Sequence, residues 1–413
     1  MKAQVPSAYP AWLLPSGFED TLPARAEILE TCRRGLLDLY AGWGYRQVIP
    51  PLVEHLESLL TGSAADLDLQ TWKLVDQASG RLVGLRSDMT PQMARIDAQI
   101  SADDETRRLC YAGTVLRARP DHLGGSRAPF QVGAELFGVA GPEADLEVLS
   151  LMVESLLHCR VGDLLLDLGH VGIAHALADA AGFHQDLRAE LLRLLERKAW
   201  PDIRLWLDSK GCGTELMDDF ATLLRAHGGL EVLERTQGQL GHHGAVRAAL
   251  EQLLFIWTQL QQRYPQLQLQ CDLAEVHGHQ YHTGLLFSAY GPQQGAALAS
   301  GGRYDGIGLA FGGSRPATGF SLDLKPILPP AREQPGGVRT IWAPGGQGAN
   351  LWQTIAALRQ QGRRVIQDFS AELAPADPSL VEEGYGSVLE KSGGKWHVRP
   401  LTSADITIEE DAE

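Results

Sequence analysis

Three histidines within six positions, His277, His279 and His282 in EVHGHQYHTG, are the first residues whose type and spacing suggest chemistry. A zinc ion takes three or four His, Cys or carboxylate ligands in a tetrahedral arrangement. This stretch has neither a CxxC pair nor a matching carboxylate cluster, so its histidines are expected to line a pocket wall or a strand. No metal site is expected there, and His242-His243 reads as a solvated turn. The glycines of FGGSRPATGF are loop formers rather than a phosphate cradle.

Acidic and basic side chains offer a second chemistry. Asp88 in LRSDMTPQMAR stands where a helix begins, and aspartate there caps backbone N–H groups. Glu135 in FQVGAELFG alternates with apolar neighbours on a strand, so it faces either solvent or an enclosed site. Arg117 and Arg119 in VLRARP are surface ion-pair residues or anion ligands, and Arg303 in GGRYDG is a structural clamp or a ligand contact. Spacing alone leaves each of these alternatives open.

The elements that must position them follow from periodicity. Ile28, Leu29, Cys32, Leu36, Leu37 and Tyr40 recur at helical spacing between Ala24 and Gly42, with Gly42 and Gly44 as the stop. YRQVIPPLVEHLESLL reads as a short strand, a Pro50-Pro51 break and a second strand passing into a helix. The apolar runs TWKLVD, RLVGLR, RLCYAG and FQVGAELFG, separated by Gly, Pro, Asp and Ser, predict an antiparallel sheet. Glu147 to Arg160 reads as a helix and LLLDLGH as a strand. From about residue 171 to 264 the pattern is almost wholly helical, as in an insertion, and strands return in LQLQCDLAEVHG, TGLLFSAY and ALASGGRYDG. PPAREQPGG marks a linker. Beyond it lies a small strand–helix–strand–hairpin unit ending in ADITIEEDAE, a tail expected to fray.

The expected class is therefore α+β: a main domain over residues 1–330 with an antiparallel sheet flanked by helices and a helical insertion at about 171–264. A linker at 331–337 and a small α/β unit at 338–413 complete it.

The 413 residues suffice for two or three cores, and 44% apolar with 21% charged residues is ordinary for a soluble globular protein. No apolar stretch reaches bilayer length, and MKAQVPSAYPAWLLPSGFED reads as neither a signal nor a transit peptide, so a cytoplasmic location is expected. The five cysteines are scattered and predict reduced thiols, not disulfides. A net charge of −15 with spread-out Lys and Arg removes the basic stripe of a dedicated nucleic-acid binder.

Three blocks, read together, resemble the class II aminoacyl-tRNA synthetases and specifically their histidyl branch. LPSGFEDTLP with VIPPLVEHLESL is similar to motif 1, the dimer-forming element. YAGTVLRARP…SRAPFQVGAELFG is similar to motif 2, and ALASGGRYDGIGLAFGGSRPATGFSLDL to motif 3. The resemblance spans about Leu14 to Leu328. It implies a histidine-binding set: Asp88 and Thr90 toward the ammonium, Gln131 toward the amino acid, and Glu135 toward the imidazole. Arg117, Tyr281, His282, Gly301, Gly302 and Tyr304 complete the implied set, with His282 standing where the family has a second tyrosine.

The nucleotide half departs from the family. Arg119 replaces the acidic residue two places after the motif 2 arginine, and His277 stands at the position of the family's histidine-activating arginine. Asp323-Leu324-Lys325-Pro326 replaces Gly-Leu-Glu-Arg, so the triphosphate-binding arginine becomes a proline with no donor. The unit after Gly337 has room for only part of an anticodon-binding domain.

A synthetase-like chain of this kind resembles the regulatory subunits of short-form ATP phosphoribosyltransferase. That resemblance implies no catalytic residues, no cofactor and no tRNA or membrane partner. It implies histidine as effector, a catalytic phosphoribosyltransferase subunit as partner, and a homodimer inside a hetero-octamer. A divergent histidyl-tRNA synthetase, and another use of the synthetase fold such as a free-standing sensor or a protein-modifying ligase, are the alternatives.

Overall fold

The computed structural model describes residues 13–60, 65–100, 105–120, 125–184, 186–276, 282–292, 295–307, 315–328, 340–346, 348–369, 379–382 and 384–401. The chain divides into two compact units, Met1–Pro330 and Ala331–Glu413.

In the first unit Pro23 opens α1 (Pro23–Gly42), at a position whose N–H would have no helical partner. One face of α1 buries Ile28, Leu36 and Tyr40. The chain turns at Gly44 (φ +83°) into β1 (Arg46–Gln47), then passes Pro50-Pro51 into β2 (Val53–His55) and α2 (Leu56–Leu60). Next come α3 (Ala65–Gln70), β3 (Trp72–Val75), β4 (Leu82–Leu85), α4 (Thr90–Ile100), β5 (Arg107–Thr114) and β6 (Phe130–Phe137). The runs TWKLVD and RLVGLR do not join the main sheet. They pair with each other and with β2 in a separate three-stranded sheet, in the order β2-β4-β3. Their apolar residues Leu74, Val75 and Leu82 stay exposed, so this sheet is not buried on both faces as a central strand would be.

The core helix α5 (Pro142–His158) buries most of its length, from Ala144 to Leu156, including the polar Asp145, Ser150 and Ser155. It is followed by β7 (Leu165–His170) and the helical insertion: α6 (Val171–Ala180), α7 (Asp186–Glu196), α8 (Trp200–Ser209), α9 (Thr214–Arg225), the two-residue β8 (His227–Gly228), α10 (Leu230–Leu240) and α11 (Gly244–Arg263). Then come β9 (Gln268–Asp272), β10 (Leu285–Tyr290), β11 (Ala299–Arg303), β12 (Ala317–Asp323) and the single turn α12 (Leu324–Ile327). The main sheet has nine strands in the order β1-β5-β6-β12-β11-β10-β7-β9-β8. A purely antiparallel sheet is corrected in two places, because β1 pairs with β5 and β7 with β9 in parallel. Parallel neighbours need a long crossover, and the helical insertion is that crossover between β7 and β9.

A directed polar chain ties the insertion to the sheet. Gly172 N–H donates to His170 Nδ1 at 3.2 Å, so the proton of the neutral ring sits on Nε2, which donates to Gln252 Oε1 of α11 at 3.2 Å. Gln252 Nε2 donates to Asp145 Oδ2 of α5 at 2.8 Å. Arg303 Nε donates to the same oxygen at 3.1 Å, and its outer nitrogen lies 2.9 Å from Asp145 Oδ1. Arg303 also donates to the carbonyls of Val139 and Gly141, which makes it the structural clamp of the two alternatives.

The reading of His242-His243 as a solvated turn holds for His242 alone. His243 turns inward and bonds Asp219 of α9 at 2.8 Å, because the buried carboxylate takes its hydrogen bond from the adjoining turn. All five cysteines are free thiols, three of them buried.

The second unit contains β13 (Thr340–Ala343), α13 (Ala349–Gln360), β14 (Val365–Gln367), α14 (Ser379–Glu382), β15 (Tyr385–Ser392) and β16 (Lys395–Pro400). Its sheet runs β14-β13-β15-β16, with β13 parallel to both neighbours and β15–β16 an antiparallel hairpin. Gly393 and Gly394 both have positive φ, as the two-residue turn of that hairpin requires. The expected linker and the ADITIEEDAE tail lie outside the described residues.

Candidate functional site

The site is built on a transverse row of the main sheet. Glu135 of β6 stands opposite Gly319 of β12, and Gly319 opposite Gly302 of β11. The glycines are required by close approach. A Cβ at Gly319 would stand 1.5 Å from Glu135 Oε2, and one at Gly302 would stand 2.8 Å from His282 Nδ1. A Cβ at Gly301 would meet the Gly319 carbonyl at 2.2 Å. On the other side of β6, Gly133 pairs with Tyr111 of β5, and a Cβ there would meet the phenol oxygen at 2.5 Å.

Three hydroxyls converge on Glu135. Thr90 Oγ1 donates to Oε1 at 3.0 Å, Tyr111 to Oε1 at 3.2 Å, and Tyr304 donates to Oε2. Tyr304 is held edge-on against Phe137, with ring centroids 6.4 Å apart. Burial pushes the Glu135 carboxyl up to about 8, and the charge of Asp88 adds to it against the pull of the hydroxyls. The site therefore holds a buried carboxyl whose ionisation is opposed by burial and favoured by three hydroxyl donors.

Asp88 immediately precedes α4. Its Oδ1 accepts from Thr90 N at 3.2 Å and from Gln131 Nε2 at 2.7 Å, while Gln131 Oε1 accepts from Met89 N at 3.0 Å. Asp88 thus caps the start of α4 while lining a cavity, and Gln131 spends its amide holding that geometry. His282 is partly exposed and borders the same space, and desolvation lowers its pKa to about 4, so its ring is neutral at pH 7.

Asp88, Thr90, Glu135, His282, Gly301 and Tyr304 surround one cavity of about 480 Å³. That lies within the range of ~300–1,000 Å³ usual for small-molecule sites. Its far end is formed by Asp167, Glu275, Ser288 and Tyr290. Burial, aided by the charges of Asp272 and Glu275, pushes Asp167 up to about 6.

Arg117 and Gln131 are not on the lining of this cavity, although Gln131 bonds Asp88 and the neighbouring lining shares Ser300 and Ser321 with it. They line a second cavity of about 320 Å³ together with Ser126, Leu298, Asp323 and Pro326. Asp323 accepts from Phe130 N at 3.0 Å and from Lys325 N at 3.1 Å, so it caps local backbone. Burial raises its pKa, opposed by those two N–H groups and by the charge of Arg117. The Lys325 ammonium turns toward Glu19, at 3.6 Å. Arg119 is exposed. Gly302 lies behind His282, and Tyr281, His277 and His279 are outside the described residues.

Sequence reasoning missed Tyr111, Asp167 and Gly319. The period-2 alternation of RLCYAG places Tyr111 on the face of Leu109, and Asp167 is a lone acid in the apolar strand LLLDLGH; both signals were present. Gly319 could be placed only once the register was known.

A family model described as histidyl-tRNA synthetase matches residues 17–327, and one described as the ATP phosphoribosyltransferase subunit HisZ C-terminal domain matches residues 338–399. The chain is 49% identical over 366 residues to the ATP phosphoribosyltransferase regulatory subunit of Thioalkalivibrio sulfidiphilus, covering 87% of this chain and 92% of that one. Among solved structures it is similar to an ATP phosphoribosyltransferase regulatory subunit/histidyl-tRNA synthetase from Bacillus halodurans, with TM-score 0.77 and 27% identity over 92% of this chain and 98% of that one. A chain of the ATP phosphoribosyl transferase (HisG:HisZ) complex from Thermotoga maritima shares the fold, with TM-score 0.55 and 21% identity over 71% of this chain and 96% of that one. The chain belongs to the ATP phosphoribosyltransferase regulatory subunits, non-catalytic members of histidine biosynthesis built on the histidyl-tRNA synthetase fold.

Proposed function

We propose that the protein senses free histidine in the cavity around Glu135 and passes that signal to a short-form phosphoribosyltransferase catalytic subunit, giving feedback inhibition in the cytoplasm. In this reading Asp88 and Thr90 receive the ligand's ammonium and Gln131 holds Asp88 in place. Glu135 with Tyr304 receives the imidazole against His282. Charge-assisted hydrogen bonds of this kind contribute about 1.5–3 kcal/mol each. Three or four of them support micromolar binding, about −8 kcal/mol. Feedback of five- to 150-fold corresponds to a coupling of about 1–3 kcal/mol between the two sites.

The observation that carries the proposal is the convergence of Thr90, Tyr111 and Tyr304 on Glu135 beside Asp88. Their cavity gathers paired hydroxyls and carboxyls around a space suited to an amino acid. The adjoining cavity, which shares Ser300 and Ser321 with it, keeps Arg117 but sets the acidic Asp323 and the donorless Pro326 beside it. A homodimer within a hetero-octamer belongs to the same proposal. It is supported by the exposed apolar residues Ile49, Val53, Val75 and Leu82 on and beside the small sheet.

The test is reconstitution. Mixed with its catalytic subunit, the protein is expected to raise phosphoribosyltransferase activity, and histidine to suppress that activity. Asp88→Ala and Glu135→Ala are expected to remove the suppression while leaving the activation. Activation with no histidine response in the parent complex would refute the sensor reading.

A further inference from the structure

Away from both cavities, the helical insertion brings three metal-binding side chains to one point. Asp219 of α9, His242 after the end of α10 and His243 at the start of α11 offer ligand atoms that all lie within 4.8 Å of one another. His243 Nε2 is 2.8 Å and His242 Nε2 is 3.6 Å from the same oxygen, Asp219 Oδ2. Ligands at 2.0–2.1 Å around a tetrahedral ion stand about 3.3 Å apart, between these two distances.

The orientation of the rings is already set. His242 Nδ1 lies 3.1 Å from the Gln239 carbonyl, which can only accept, so the proton sits on Nδ1 and the Nε2 lone pair faces the cluster. Histidine ligands in metal sites are oriented in this way by a carbonyl on the far nitrogen. The two rings lie 4.1 Å apart with a 41° tilt, and both Nε2 atoms approach the same carboxylate oxygen. Asp219 is buried at 7% exposure, and among the described residues its only ionic partners are these two histidines.

We propose that Asp219, His242 and His243 form a site for one divalent transition-metal ion of the zinc class, clipping α9 to the α10–α11 turn. The ion takes the place of the proton that His243 Nε2 now directs at Asp219; that proton passes by way of solvent to Nδ1 of the same ring, which frees the Nε2 lone pair and keeps the imidazole neutral. His242 is half exposed, so water completes the coordination.

The experiment uses the untagged full chain, stripped with chelator and titrated calorimetrically with ZnCl2, with a parallel CoCl2 titration read by visible absorption. One ion per chain is expected, with cobalt giving the intense bands of a four-coordinate site. His242→Gln, at an exposed turn, and His243→Ala are each expected to weaken zinc binding at least about tenfold. His397→Ala, in the second unit, is expected to leave it unchanged. Far-ultraviolet circular dichroism verifies that each variant is folded, and zinc is expected to raise the Tm of the parent and not of His242→Gln. No stoichiometric zinc uptake, or uptake that survives the His242→Gln substitution in full, overturns the proposal.

Discussion

Gly319 stands directly across the β6–β12 register from Glu135, and the hydrogen on its Cα is all that separates the backbone from the carboxylate. A methyl group placed there would fall 1.5 Å from Oε2. Gly319→Ala is therefore expected to push Glu135 off Tyr304 and Thr90. The expected cost is about 1–3 kcal/mol, the usual range for overpacking. Histidine affinity, read by calorimetry, should fall at least about tenfold, whereas Gly306→Ala, at a position with open space, should leave it unchanged.

Glu135 also sets a dependence of stability on pH. Its carboxyl is raised to about 8 in the folded chain, from 4.5 when unfolded. Between those values the unfolded chain gives up the proton first, so stability attributable to this group falls as pH rises from 4.5 toward 8. Glu135→Gln removes the titration. Its Tm relative to the parent is expected to climb between pH 5 and pH 8 and then level off. An unchanging difference across that range would show that the carboxyl is ionised throughout.

His170 and His282 act on the acid side. Burial lowers each to about 4 from 6.5, so the unfolded chain takes up protons first as pH falls through that interval, and stability is lost there. His282→Phe is expected to flatten the acid limb of a Tm profile between pH 6.5 and pH 4. An acid limb as steep as the parent's would mean that the ring is already charged in the folded chain.

The ion pair of Asp145 with Arg303 is buried on both sides, with side chains 0% and 8% exposed. Removing one partner strands the other, so Arg303→Met is expected to destabilise the fold by about 3–5 kcal/mol in urea unfolding. Replacing both, as Asp145→Leu with Arg303→Met, should recover most of that loss. A double variant as unstable as the sum of the two singles would count against the pairing.

Pro326→Arg alone is not expected to create histidine-dependent exchange of pyrophosphate into ATP. Asp323 would still face the second cavity with its carboxylate engaged by Phe130 and Lys325, and Lys325 would still turn toward Glu19. Exchange above background in this variant would show that a single guanidinium suffices.

Much of this was legible in the residues and some of it was not. Local signals found α1, the β5–β6 strands, the helical insertion and the second unit's hairpin, because burial periodicity and Gly-Gly turns act over a few residues. The parallel pairs β1–β5 and β7–β9 were not legible, since pairing across a crossover leaves no local mark. Asp88 and Glu135 were named through the motif resemblance, whereas their place on one cavity lining, with Arg117 on the adjoining one, depends on strand order. The inward turn of His243 depends on a carboxylate 24 positions away.

The chain of bonds from His170 through Gln252 to Asp145 and Arg303 has only one arrangement of donors and acceptors. Flipping the Gln252 amide would set an N–H against the His170 N–H and an oxygen against a carboxylate. Helix α11 and β11, which ends at Arg303 beside Tyr304, are thus joined through one continuous set of side-chain bonds. A shift of Arg303 would strand the buried Asp145 carboxylate, so breaking this train of contacts carries the cost of an unpaired buried charge.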